Sequence, residues 1–234
     1  MNKKFLKIWL TLVLVSVLWW VFFAGKEVAV PVVDMVSSDF VSGKSIRIIA
    51  FGDSLTAGYG VSQAESYPAQ LEADLREKGY DVLVINSGVS GETTRGNLER
   101  ANFIRSQNPD IVILGIGGND ALRALPIGEN EKNISATVEI LQSGKQPPHV
   151  FLLQMQAPLN AGQEYKERFD AFYKTLAEDK GLVLVPFITE DIFLDQNNKL
   201  ADGIHYNQVG YKKVIDQYLL PRLEEVLFYY SNDK

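Results

Sequence analysis

The sequence contains no cysteine. That excludes disulfides, thiolate metal sites and a lipidated cysteine, and leaves the redox compartment open. Histidine is nearly as scarce, with His149 and His205 alone. No clustered His/Glu spacing suggests a catalytic zinc, so no metal is expected. Any imidazole base must be one of these two residues. The glycine-rich loop from Gly115 to Gly118 is not followed by Gly-Lys-Ser/Thr, so no phosphate cradle is expected. Tryptophan is absent after Trp20; Trp9, Trp19 and Trp20 account for all three.

Those tryptophans lie in a segment unlike the rest. Lys3, Lys4 and Lys7 precede 17 residues without a charge, Ile8 to Ala24. This length is at the lower limit for a membrane span and exceeds most signal-peptide apolar regions. No clean small-x-small cleavage site surrounds Phe22-Phe23-Ala24-Gly25. Residues 1–25 are read as an uncleaved signal anchor, with the lysines cytoplasmic and the following domain extracytoplasmic. The alternative is secretion after signal cleavage. Residues 26–44 are read as a linker and 45–234 as one domain. Residues 1–44 hold five positive and three negative charges, so the remainder carries 18 positive and 26 negative, net −8. That balance disfavours nucleic acid and strong adsorption to anionic lipid. Membrane contact is therefore expected through the anchor. The sequence sets no oligomeric state.

After Gly43, apolar runs alternate with helical patterns. Strands are expected at 46–51, 82–86, 110–115, 149–154 and 182–185. Helices are expected at 67–78, 93–107, 131–143, 162–180 and from about Asn207 to Tyr229, with Pro221 kinking or splitting the last. Five strands alternating with helices imply an α/β fold, a parallel sheet covered on both faces.

Four separated segments carry chemistry. Phe51-Gly52-Asp53-Ser54-Leu55 follows the first strand, so Ser54 sits just past its carboxyl end, the edge where open α/β sheets bind ligands. Ser54 is either a nucleophile awaiting a base or a helix N-cap. His149 opens the fourth strand, at the wrong edge for catalysis. His205 lies in a polar loop, three residues after Asp202, a spacing that lets one carboxylate accept the imidazole Nδ1 proton. By themselves Asp202 and His205 fit a loop capping the next helix better; with Ser54 present and no better-placed histidine the balance reverses. Asn119, in Gly117-Gly118-Asn119-Asp120, is a candidate side-chain oxyanion donor, and Gly91, in Ser90-Gly91-Glu92-Thr93, a backbone one. An Asx-turn and a plain turn are the alternatives. The Ser54 N–H is the third donor. Together the four supply the parts for acyl transfer to water.

The order and spacing of these segments resemble the SGNH (GDSL) hydrolases over roughly residues 45–228, with Ser54, Gly91, Asn119 and His205 at the named positions and Asp202 completing a triad. The chain is most similar to the bacterial thioesterase I/lysophospholipase/arylesterase branch, through Gly52 to Tyr59, Ser90 to Thr93, Gly117 to Arg123 and Val185-Pro186-Phe187. Two residues depart from that branch: Tyr206 replaces a proline and Glu92 an aspartate. Tyr206 is expected to alter the pocket rim or the rigidity of the loop. The resemblance implies a three-layer α/β/α sandwich with a five-stranded parallel sheet (the flavodoxin-like SGNH hydrolase fold). It implies a serine esterase acting without metal or organic cofactor on small acyl esters, thioesters or lysolipids. Leu122, Leu125, Met155 and Leu159 are expected to border the substrate. A carbohydrate O-acetylesterase using the same triad is the first alternative, and a non-catalytic binding module the second.

Overall fold

The computed structural model describes residues 45–232. The anchor at 1–25 and linker at 26–44 therefore lie outside the described residues. In chain order the strands are β1 (Ile46–Gly52), β2 (Val82–Gly88), β3 (Ile111–Gly115), β4 (His149–Gln154) and β5 (Val183–Pro186). The helices are α1 (Ser54–Ala57), α2 (Tyr67–Glu77), α3 (Thr94–Ser106), α4 (Gly118–Leu122), α5 (Ile127–Leu141), α6 (Gln163–Lys180), α7 (Glu190–Phe193), α8 (Gln208–Val214) and α9 (Leu220–Asn232).

All five strands pair in parallel in the order β2-β1-β3-β4-β5. The chain moves one way from β1 to β2 and the opposite way through β3, β4 and β5. Right-handed crossovers then put α2 on one face and α3, α5 and α6 on the other. Contacts agree: α5 packs on both α3 and α6, while α2 packs on α8. β3 is buried along its whole length, as a central parallel strand should be.

Each strand expected from its apolar run is present, with ends shifted by up to two residues. The fifth helix starts at Ile127 rather than 131, its first turn closed by the Asn130 N–H on the Pro126 carbonyl at 3.3 Å. Short α1, α4 and α7 carry too few residues for a periodic signal. The expected interruption at Pro221 takes the form of a π-helical segment just ahead of it rather than a gap. A π-helical turn, Ile215–Leu219, joins α8 to α9, with the Leu220 N–H reaching back to the Ile215 carbonyl. Proline lacks an N–H and crowds the carbonyl four residues back; a wider turn just before it relieves both problems.

The carboxyl edge of the sheet is shaped by glycine. Gly52 pairs with Gly88 on one side and Gly115 on the other. A Cβ at Gly52 would lie 2.2 Å from Thr56 Oγ1 and 2.4 Å from the Gly115 carbonyl. Its absence lets α1 fold directly onto the strand ends, which places Ser54 over the middle of the sheet.

Candidate active site

Ser54 is the first residue of α1, and Asp53 is the N-cap. The cap reading considered for Ser54 thus falls to its neighbour, and the serine hydroxyl is free for another partner. That partner is His205, whose Nε2 lies 2.8 Å from Ser54 Oγ across 151 residues of chain. On the far side of the ring, Nδ1 lies 2.7 Å from Asp202 Oδ2. The other carboxylate oxygen, Oδ1, accepts the N–H groups of Ile204 (2.9 Å) and His205 (3.0 Å). Partial burial alone would raise the Asp202 pKa. The backbone N–H and the ring of His205, with the Ile204 N–H, outweigh it and hold the carboxyl at about 2. Asp202 is therefore ionised at neutral pH.

The loop that carries this pair is pinned at several points. Lys199 and Tyr206 form an antiparallel bridge, and the Leu200 N–H donates to the His205 carbonyl at 2.8 Å. Asn207 caps α8 through the Gly210 N–H and donates to the Asn197 and Lys199 carbonyls. Tyr206 is fully buried and donates to the Phe187 carbonyl at 2.8 Å. Its ring packs on Phe187, Phe193 and Tyr211. Of the two expectations for Tyr206, the pocket rim is therefore corrected. The ring turns into the apolar interior behind the loop, where its bulk and hydroxyl fix the loop from beneath. One helical turn later, Tyr211 donates to the Leu55 carbonyl at 2.9 Å, tying the histidine loop to the serine segment.

Tyr59 closes the other side. Its N–H donates to the Ser54 carbonyl at 3.0 Å, and its half-exposed ring lies tilted against His205, centroids 4.7 Å apart. Sequence reasoning passed over it, since an aromatic in a glycine-flanked turn gives no periodic signal.

Asn119 is the second residue of α4. Gly117 makes that turn possible. Its φ is +101°, and a Cβ would meet Tyr173 Oη at 2.4 Å. Asn119 Nδ2 points at Asp53 Oδ2, 3.3 Å away. Asp120, buried beside it, accepts the Thr94 N–H at 2.8 Å and the Thr94 hydroxyl at 2.7 Å, locking α4 to the start of α3. Gly91 is exposed in the loop before α3, and Arg123 Nη2 donates to its carbonyl at 3.0 Å. Glu92 reaches Arg100 and Asn97, so its departure from aspartate serves the helix start rather than the site.

Asp53 is the other residue that sequence reasoning missed. It is almost fully buried. Desolvation raises its carboxyl pKa to about 6, against the opposing influence of the Leu55 N–H, His205 and Asn119. Its position one residue before the serine was the available signal.

The expected substrate border divides. Leu122 and Leu159 are exposed and Leu125 is half-buried, so these side chains are accessible to a ligand. Met155 is not. It is buried, and its Cε lies 3.3 Å from where a Cβ on Gly115 would stand. The side chain turns inward beneath the carboxyl edge, against Gly115. His149 is exposed at the amino end of β4, edge-on to Tyr230, and so lies at the opposite end of the sheet from Ser54.

Comparison with known proteins gives a consistent set. Residues 50–213 match the GDSL-like Lipase/Acylhydrolase family. An arylesterase of Vibrio mimicus is 34% identical over 165 residues, which is 70% of this chain and 82% of that protein. The Escherichia coli (strain K12) protein described as thioesterase 1/protease 1/lysophospholipase L1 is 31% identical over 179 residues, 76% of this chain and 84% of that one. Among solved structures, the psychrotrophic esterase EstA from Pseudoalteromonas sp., inhibited by monoethylphosphonate, aligns with a TM-score of 0.70 at 26% identity. That alignment covers 80% of this chain and all of the other.

Proposed function

This chain belongs to the GDSL-like lipase/acylhydrolase family, and from that membership as an ester-cleaving hydrolase we propose that it acts through a Ser54-His205-Asp202 triad on acyl esters and thioesters of several carbons. The observation that carries the proposal is the unbroken line Asp202 Oδ2, His205 Nδ1, His205 Nε2, Ser54 Oγ, with spacings of 2.7 and 2.8 Å.

Ser54 Oγ attacks the carbonyl carbon while His205 Nε2 takes its proton. The imidazolium that forms faces ionised Asp202 through Nδ1–H. The carbonyl oxygen becomes an oxyanion, met by the N–H groups of Ser54 and Gly91 and by Asn119 Nδ2. Collapse of this intermediate expels the alcohol or thiol, which takes the proton from Nε2. Water then attacks the acyl-serine by the same route in reverse. The phosphonate inhibition named for the EstA structure suits an activated serine.

Leu122, Leu125 and Leu159 support a preference for chains longer than acetyl. Each buried methylene contributes ~0.8 kcal/mol, so hexanoyl esters should exceed acetyl esters in kcat/KM by ~10-fold or more. Leu125→Ser should narrow that gap. Steady-state kinetics on acetyl, butyryl and hexanoyl esters, acyl thioesters and acetylated sugars tests both. Acetylated sugars preferred over hexanoyl esters would replace this reading with a carbohydrate O-acetylesterase.

The placement proposed here is extracytoplasmic, held to a membrane by residues 1–25. Its support is the uncharged run from Ile8 to Ala24 behind three lysines. Among the described residues no helix is long and apolar enough to cross a membrane. The expected result is intact chain in the membrane fraction, with the domain open to external protease. A soluble mature protein starting near Gly25 would show a cleaved signal instead.

A further inference from the structure

We propose that Asp53 is a positioning residue: its buried carboxylate orients the Asn119 side chain so that Nδ2, rather than Oδ1, faces the substrate carbonyl. The proposal rests on the oxyanion role given to Asn119 above.

The two ends of a carboxamide have nearly the same shape, so neighbours decide which end points where. An ionised carboxylate only accepts hydrogen bonds. Asp53 Oδ2, 3.3 Å from Asn119 Nδ2, attracts the amino end and repels the carbonyl end. One Nδ2 hydrogen serves Asp53 and the other is left for the oxyanion. At 3.3 Å the contact is longer than a tight charge-assisted bond, so the amide is steered and keeps freedom to close on substrate.

The carboxylate itself cannot turn. Its Oδ1 accepts the Leu55 N–H at 3.0 Å as the cap of α1. Residue 118 lies close against the other oxygen, where a Cβ would come within 3.2 Å of Oδ2. The same residue thus caps the helix that begins with Ser54 and aligns Asn119 from α4. One side chain sets the nucleophile and an oxyanion donor in common register.

The surroundings are costly for a charge. Charged or titratable groups facing Asp53 are His205 across the site, Asp120 on α4, Tyr67 on α2, Tyr173 on α6 and Tyr211 on α8. Burial dominates and raises its pKa from 3.8 to about 6. The folded value exceeds the unfolded one, so folding favours the protonated form. The cost of ionised Asp53 is present in full above the folded value and vanishes below the unfolded one. A neutral isostere removes that cost while spoiling the alignment. This separates positioning from a purely structural role, whose loss lowers stability.

The test uses the full chain as wild type, Asp53→Asn, Asp53→Ser, Asn119→Ala and the Asp53→Asn/Asn119→Ala double variant. Asparagine and serine both keep an acceptor for the Leu55 N–H, so α1 stays capped. Neither presents a second acceptor to Asn119. Each should lower kcat by ~10- to 100-fold with KM little changed, a fraction of the loss of a whole donor. In the Asn119→Ala background, Asp53→Asn should cost nothing more. Its melting temperature should rise by on the order of 3 °C at pH 8 and by much less at pH 4. Wild-type kcat in Asp53→Asn or Asp53→Ser overturns the proposal, as does an equal further loss in the Asn119→Ala background. An Asn119→Ala single variant with wild-type kcat removes the premise instead, and that variant reports it separately.

Discussion

Ser54→Ala should lose ~10⁴- to 10⁶-fold in kcat while folding normally, and His205→Ala should lose about as much. The two losses should not add, because removing either leaves the other with nothing to do. Ser54 Oγ is a weak nucleophile until Nε2, 2.8 Å away, takes its proton. Asp202→Asn should lose less, ~10³- to 10⁴-fold, through loss of the charge facing Nδ1 and a changed tautomer. His149→Ala should keep normal turnover, since its ring packs on Tyr230 at the other end of the sheet. Steady-state kinetics on the single and double variants, with circular dichroism to confirm folding, reads all four. A folded, inactive His149→Ala protein beside an active His205→Ala would reverse the assignment of the base.

Asn119→Ala should lower kcat by ~100- to 1,000-fold with KM nearly unchanged. Its amide meets an oxygen whose charge develops only on the way to the tetrahedral intermediate, so removing it spares ground-state binding. Among the described residues its side-chain hydrogen bond is the one to Asp53. Thermal melting should therefore change little. Unchanged kcat in a stable Asn119→Ala protein takes the residue out of the oxyanion hole.

The sheet was legible because its five strands are short apolar runs separated by helical periods, and burial on both faces leaves that pattern little freedom. The short helices at the carboxyl edge were not. α1 and α4 have four and five residues, too few for a period, and they form because Gly52 and Gly117 admit close contacts no other residue allows. The pairing of Asp202 with His205 could be read from a spacing of three. The meeting of His205 with Ser54 could only be argued by elimination, since 151 residues separate them. What brings them together is tertiary: Tyr211 on the Leu55 carbonyl and Tyr206 under the loop. Asp53 escaped notice because sequence gives the type of a residue and not its desolvation. Met155 follows its strand end as expected, but which way its side chain turns could not be read from position alone.

The most direct measurement is covalent. A fluorophosphonate reacts with an activated serine when Oγ bonds to phosphorus, its proton passes to the base and fluoride leaves, and the adduct is located by peptide mass spectrometry. On the full chain, one adduct should form, on Ser54, in step with the loss of esterase activity. His205→Ala should remain unlabelled over the same time. Complete inactivation with the adduct on another residue, or full labelling of Ser54 in the absence of His205, would contradict the triad proposed here.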